Sequence, residues 1–347
     1  MNTIQEEFDK ELKSLIELAK TEEDIDRIKK GLPESFSNLI ESLPGPMLLS
    51  IKENAYGTGL LNNRRKDSEF LEERLRHWQE GFDVLELLVG VCVEAGSGIR
   101  KQMGTKTSSV DIILFDVLTR LHAKACLISK EIVCLLKNGF ADGAHGRWRA
   151  LHEVTVTSLF LSKSEGDTVE RYCQHEIVDS YKGACQHKEY ASRLQAAPPS
   201  DEEILLLKKH YDVAIERFGC DFGTSYGWAE KALKNKRPNF ADLEKAVGYD
   251  HWRPYYKWAS QNVHANAKTI TSSLGVNGAM DNILLAGASN LGLVDPAHSM
   301  AISLVQNTCA VLAQSPSIDS AVTMKIVGAL CDEVGEVFLR CSKAVDV

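Results

Sequence analysis

No two of the nine cysteines in this chain are spaced Cys-x-x-Cys; they are scattered at 92, 126, 134, 173, 185, 220, 309, 331 and 341. That odd, unpaired set argues against a zinc ribbon, a thioredoxin-like dithiol and a disulfide framework. It suits reduced thiols buried as small apolar side chains. Long apolar runs are also missing. The longest, Val84 to Ala95, is interrupted by Glu86 and Glu94 and is too short to span a bilayer. The first residues, Met1 to Glu7, are polar and acidic and do not read as a signal peptide, so a cytoplasmic protein without membrane association is expected. There is no Gly-x-x-x-x-Gly-Lys-Ser/Thr loop. Gly96-Ser97-Gly98 lacks the strand context of a dinucleotide site, and no nucleotide cofactor is expected. Basic residues are in deficit, giving a net charge of −8, which argues against a general nucleic-acid-coating surface. A small, locally basic cleft is still allowed.

Prolines are few, aromatics make up 7%, and no run alternates as strands do. Apolar residues make up 44% of 347, enough for a substantial core. An all-α multi-helix bundle follows. Residues 3–20 and 22–30 read as short amphipathic helices, the second opened by Thr21 and an acidic first turn. Together they suggest an N-terminal appendage over 1–45. Prolines and glycines through 46–67 suggest a loop or linker, and 68–347 reads as the main helical domain.

Two polar patches interrupt helices otherwise built like core. In the first, His145, Arg149, His152 and Val156 share a stripe at about 100° per residue, with Glu153 on its edge. In the second, Tyr256, Ser260 and His264 recur at i, i+4, i+8, with Asn262 beside them. Buried charge is costly unless paired, so the two stripes point to a shared polar cleft. Arg149 and Glu153 are spaced to pair on one helix. Ser260 and His264 are one turn apart, but no nucleophile elbow surrounds Ser260, which disfavours a serine hydrolase. His145, His152, Glu153 and His264 lack metal-ligand spacing, so no metal is expected.

The segment Arg149-Ala150-Leu151-His152-Glu153, followed by an apolar helix, resembles an Arg-Ser-Leu-x-Glu segment of an uncharacterised bacterial all-helical family. Trp258-Ala259-Ser260-Gln261-Asn262-Val263-His264 resembles that family's second segment, an aromatic followed by Ser-x-x-Val-His. The resemblance covers about residues 110 to 290. It also extends remotely to HEPN-type nucleases and abortive-infection proteins. Arg147 to His152 spells their loose Arg-x-x-x-x-His pattern, although those two residues lie about 140° apart on an ideal helix. The resemblance implies a HEPN-like core and a metal-independent RNA-cleaving effector of phage defence or stress. His264 would move the proton, Arg149 would clamp the phosphate, and Glu153 would orient Arg149. Ser260, Tyr256, His152, Arg147, His145 and Asn262 would line the cleft. The pattern departs at one point: no arginine lies four to six residues before His264, Arg253 is farther back, and Arg149 would have to replace it.

The expected partners are RNA and a second copy of the chain. Pooling Arg147, Arg149, Lys257 and Lys268 across a two-fold axis would offset the acidic net charge. The alternative is a non-catalytic helical module, binding a protein or a small ligand, in which the same residues form a buried Arg/Glu/His network.

Overall fold

The computed structural model describes residues 4–101, 109–264, 267–268, 273–276 and 284–344. The chain divides into two compact units, Met1–Phe70 and Leu71–Val347. Helices dominate, and no strand occurs among the described residues.

The first unit holds α1 (Ile4–Leu18), α2 (Glu22–Ser42), α3 (Pro44–Asn54), a π-helical turn (Ala55–Gly59) and the start of α4 (Leu60–His77). Thr21 caps α2 in a full capping box with Asp24. The helix then runs on to Ser42, through Gly31 and Pro33, twelve residues beyond the expected end. The stretch expected as a loop, 46–67, is also helical. Pro44 and Pro46 fall in the first turn of α3, where the missing N–H would have had no intrahelical acceptor. Gly57 and Gly59 are absorbed in the π-turn. Phe8 meets Phe36 edge to face at 4.7 Å, but no described residue of 4–70 is buried.

The second unit contains α5 (Gln79–Lys101), α6 (Ser109–Lys137), α7 (Ala141–Lys163), α8 (Thr168–Gln174), α9 (Glu176–Leu194), α10 (Asp201–Phe218), α11 (Glu230–Leu233), α12 (Phe240–Val247), α13 (Arg253–Gln261), α14 (Val294–Leu312) and α15 (Ile318–Lys343). A central helix, α7, packs on α6 and α14, and α12 and α13 lie across it. The main apolar cluster joins α5, α6, the first half of α7, α14 and α15, around Leu85, Trp148, Leu304 and Phe338. A second cluster joins the far half of α7 to α8, α12 and Tyr256.

Along the α7–α14 seam polar side chains bond from one helix to the other. Trp148 Nε1 donates to Ser303 Oγ at 2.9 Å, Thr155 donates to the Ser303 carbonyl at 3.0 Å, and Asn307 Nδ2 donates to Ser158 Oγ at 2.9 Å. Buried polar groups need such partners, so these bonds also fix the register of the two helices. Gly139 takes φ +77 in the α6–α7 turn. A Cβ there would sit 1.9 Å from Arg74 Nη1 and 2.7 Å from the Ser289 carbonyl, so the tight reversal into α7 needs glycine.

Candidate functional site

α7 carries His145, Arg149, His152 and Glu153 on the side that meets α12 and α13. Proline at the second position of α13 suits its first turn, and the helix ends at Gln261. The chain then bends, so His264 sits in a turn, exposed, with its N–H on the Ser260 carbonyl at 3.2 Å. Gly146 lets this turn approach α7. A Cβ at that position would lie 3.5 Å from Val263 Cγ2 and 3.7 Å from Asn262 Cβ.

Three of the expected catalytic residues come together here. Arg149 Nη1 donates to His264 Nε2 at 3.4 Å. A guanidinium has no acceptor, so this contact needs a bare Nε2, the form of imidazole able to take a proton. Arg149 Nε lies 3.3 Å from Glu153 Oε1, within ion-pair distance, but it is not aligned as a hydrogen bond and stays buried without an acceptor. The Tyr256 hydroxyl donates to the same Glu153 oxygen at 2.5 Å. The Arg149 guanidinium carbon stands 4.9 Å from the centre of the Tyr256 ring.

The electrostatics follow from this packing. Burial, and then the Glu153 carboxylate, push the Tyr256 phenol well above its usual range, so it stays protonated and can only donate to Glu153. Burial pulls the Arg149 guanidinium down, but Tyr256 and Glu153 outweigh it and the net shift is upward. Tyr226 belongs to the same cluster: burial first, and the charge of Glu153 second, raise its phenol, against the opposing pull of Arg149 and Arg253. Arg171 fixes the chain next to Tyr226. Its buried guanidinium donates to the carbonyls of Trp228, Gly227 and Phe218 and pairs with Glu230 at 3.0 Å.

The other expected lining residues divide. His152 is buried, not in an open cleft. Its Nε2 lies 2.9 Å from Glu244 Oε1, and Glu244 Oε2 accepts from Arg253 Nη1 at 2.6 Å. Glu244 is wholly buried with both oxygens used. His145 is also buried, stacked on Trp148 with ring centres 5.5 Å apart and edge-on to Trp258. Asn262 Nδ2 reaches His145 Nδ1 at 3.5 Å, and His145 Nε2 has no hydrogen-bond partner. Burial lowers the His145 imidazole to about 4. Arg147 turns the other way and pairs with Glu131 on α6, because it stands two residues from Arg149, about 200° round the helix. Ser260 spends its hydroxyl on the Tyr256 carbonyl at 2.7 Å, not on His264. Asn266, next to the expected site, lies outside the described residues.

Glu244, Arg253 and Tyr226 were not expected from sequence. Arg253 stacks on the other arginine's platform, 5.2 Å from the Tyr256 ring centre. The spacing Arg253–Tyr256–Ser260–His264, at i, i+3, i+7, i+11, is the signal that could have found it. Among the described residues, no group of three or more His, Cys, Asp or Glu is arranged to hold a metal. No described helix is long and apolar enough to cross a membrane.

Residues 115–282 match the model of a family of unknown function (DUF5677). The matched stretch takes in both halves of the cluster, from Arg149 and Glu153 on α7 to Arg253, Tyr256 and His264. It leaves α14 and α15 outside. No curated protein and no solved structure matches the chain.

Proposed function

We propose that the chain is a HEPN-like, metal-independent ribonuclease effector whose reacting pair is His264 and Arg149. The observation that carries this reading is the 3.4 Å contact between a permanently charged guanidinium and a bare, exposed imidazole nitrogen. Phosphodiester cleavage by a neighbouring hydroxyl is served by a base for the hydroxyl proton beside a cation for the charge that builds on phosphorus. His264 Nε2 takes the 2′-hydroxyl proton. The 2′-oxygen bonds to phosphorus, the bond from phosphorus to the 5′-oxygen breaks, and the leaving oxygen is reprotonated by solvent. The products are a 2′,3′-cyclic phosphate and a 5′-hydroxyl. Arg149 swings its Nη donors from imidazole to the non-bridging oxygens and offsets the charge that builds on them. Glu153 and Tyr256 hold the guanidinium from behind. A second copy of the chain would supply a second such site beside the first.

The test is RNA cleavage in EDTA by wild type, H264A and R149A, with folding checked by circular dichroism. Loss of the imidazole is expected to cost on the order of 10²–10⁴ in rate. A folded H264A variant as fast as wild type contradicts the assignment. A second reading, a non-catalytic module, is favoured by the buried His152–Glu244–Arg253 network, which needs no substrate to be satisfied. It predicts that wild type leaves RNA intact.

A further inference from the structure

We infer that Arg253 is a second phosphate contact of the same site, so that a single RNA strand lies along α13 with neighbouring phosphates on Arg149 and Arg253. This rests on the RNA reading above. Four observations point to it. Both guanidinium carbons stand within 5.2 Å of the centre of one ring, that of Tyr256. Each is braced by its own carboxylate, Arg149 by Glu153 and Arg253 by Glu244. Both side chains are part-exposed, 26% and 30%, whereas Glu244 is wholly enclosed with both oxygens occupied, so its charge faces inward. Finally, Glu244 takes only Nη1 of Arg253, and no other N–H of that guanidinium is hydrogen-bonded among the described residues.

The two cations flank one ring, that of Tyr256. Arg253 opens the first turn of α13, Tyr256 follows, and Arg149 leans past the ring to His264 beyond the helix end. One phosphate therefore sits at the reacting pair and its neighbour sits at Arg253, where it is held but not cleaved. A guanidinium that is planar, braced and still has spare N–H groups suits a phosphate better than a flexible ammonium does. Contacts to phosphates carry no base information, so this pairing recognises backbone and not sequence.

The test separates binding from cleavage. The probe is a fluorescent eight-nucleotide 2′-O-methyl RNA, which lacks the attacking hydroxyl. Its affinity is measured by anisotropy across salt concentrations for wild type, E244Q, the E244Q/R253M double variant and R253K. Glu244→Gln removes the buried charge that Arg253→Met would otherwise strand, so the double variant keeps its fold, and thermal unfolding verifies this. One lost phosphate contact should make the plot of log affinity against log salt shallower by about 0.7 in the double variant relative to E244Q. R253K, which keeps the charge, should retain the steep slope. The inference is overturned if wild type binds while E244Q and E244Q/R253M share one slope and one affinity. If wild type does not bind the probe, the inference and the RNA reading fall together. If binding depends on Arg253 but no RNA is ever cut, the subsite stands and the cleavage chemistry is removed.

Discussion

At the scale of single residues, exposure to solvent separates the histidines. His264 is exposed beside Arg149, whereas His145 and His122 are enclosed, and burial lowers both of the latter to about 4. His122 is held by Thr308 Oγ1 at 3.0 Å. The unfolded chain binds protons on both histidines below their ordinary value of 6.5, while the folded chain refuses them until about 4. Stability is therefore complete above about 6.5 and falls as pH drops towards 4. Urea unfolding at pH 7 and pH 4.5 should show the loss, of order a few kcal/mol, and His145→Gln should remove about half of it, leaving the part due to His122. An H145Q variant with the wild-type pH slope contradicts the assignment. Tyr256→Phe removes the hydroxyl that Glu153 accepts, and should cost about 1–3 kcal/mol in the same assay. A cost near zero would mean that Glu153 is satisfied without it.

At the scale of elements, the contact between α7 and α13 sets the site. Glu244→Ala would leave His152 and Arg253 without their shared carboxylate, and a loss of about 3–5 kcal/mol is expected. A loss below about 1 kcal/mol would show that the network contributes little to holding α12 and α13 on α7. At Gly146 the expected effects split by size. Gly146→Ala puts a methyl at ordinary contact distance from Val263 and Asn262 and should be tolerated, whereas Gly146→Leu should displace the His264 turn and remove activity from a folded protein. Equal activity in both variants contradicts the close approach. Much of this frame was legible in the sequence. Ser200 with Glu203 and Asn239 with Asp242 are capping boxes, and α10 and α12 begin where those residues say. Arg149, Glu153, Tyr256 and His264 could be paired because their stripes interrupt apolar faces. The rest is long-range. Glu244 reaches His152 across 92 residues, which no periodicity shows. Arg253 looked remote when counted back from His264, yet both lie on one face with Tyr256 between them. The helical character of 46–67 was hidden because proline and glycine mark breaks on average, while a first-turn proline or a π-turn glycine breaks nothing.

At the scale of the whole molecule, a chain of net charge −8 can hold RNA only where local geometry opposes its global field. Association of two copies would ease that conflict. On α14 the apolar residues are internal: Leu304, Val305, Val311 and Leu312 are buried in the core. On α15, however, Ile318, Val322 and Ile326 repeat at i, i+4, i+8 and all three are exposed. Light scattering of the purified chain should report a dimer at micromolar concentration, and Ile326→Glu should shift it towards monomer. A strict wild-type monomer removes the shared-cleft argument. The most direct measurement of the central claim uses a DNA oligonucleotide carrying a single ribonucleotide, incubated with the protein in EDTA. Scission is predicted only after the ribose, leaving a 2′,3′-cyclic phosphate, and it should be lost in a folded H264A variant. An uncut strand, or cleavage that ignores the ribose or survives H264A, would contradict the assignment of His264 and Arg149.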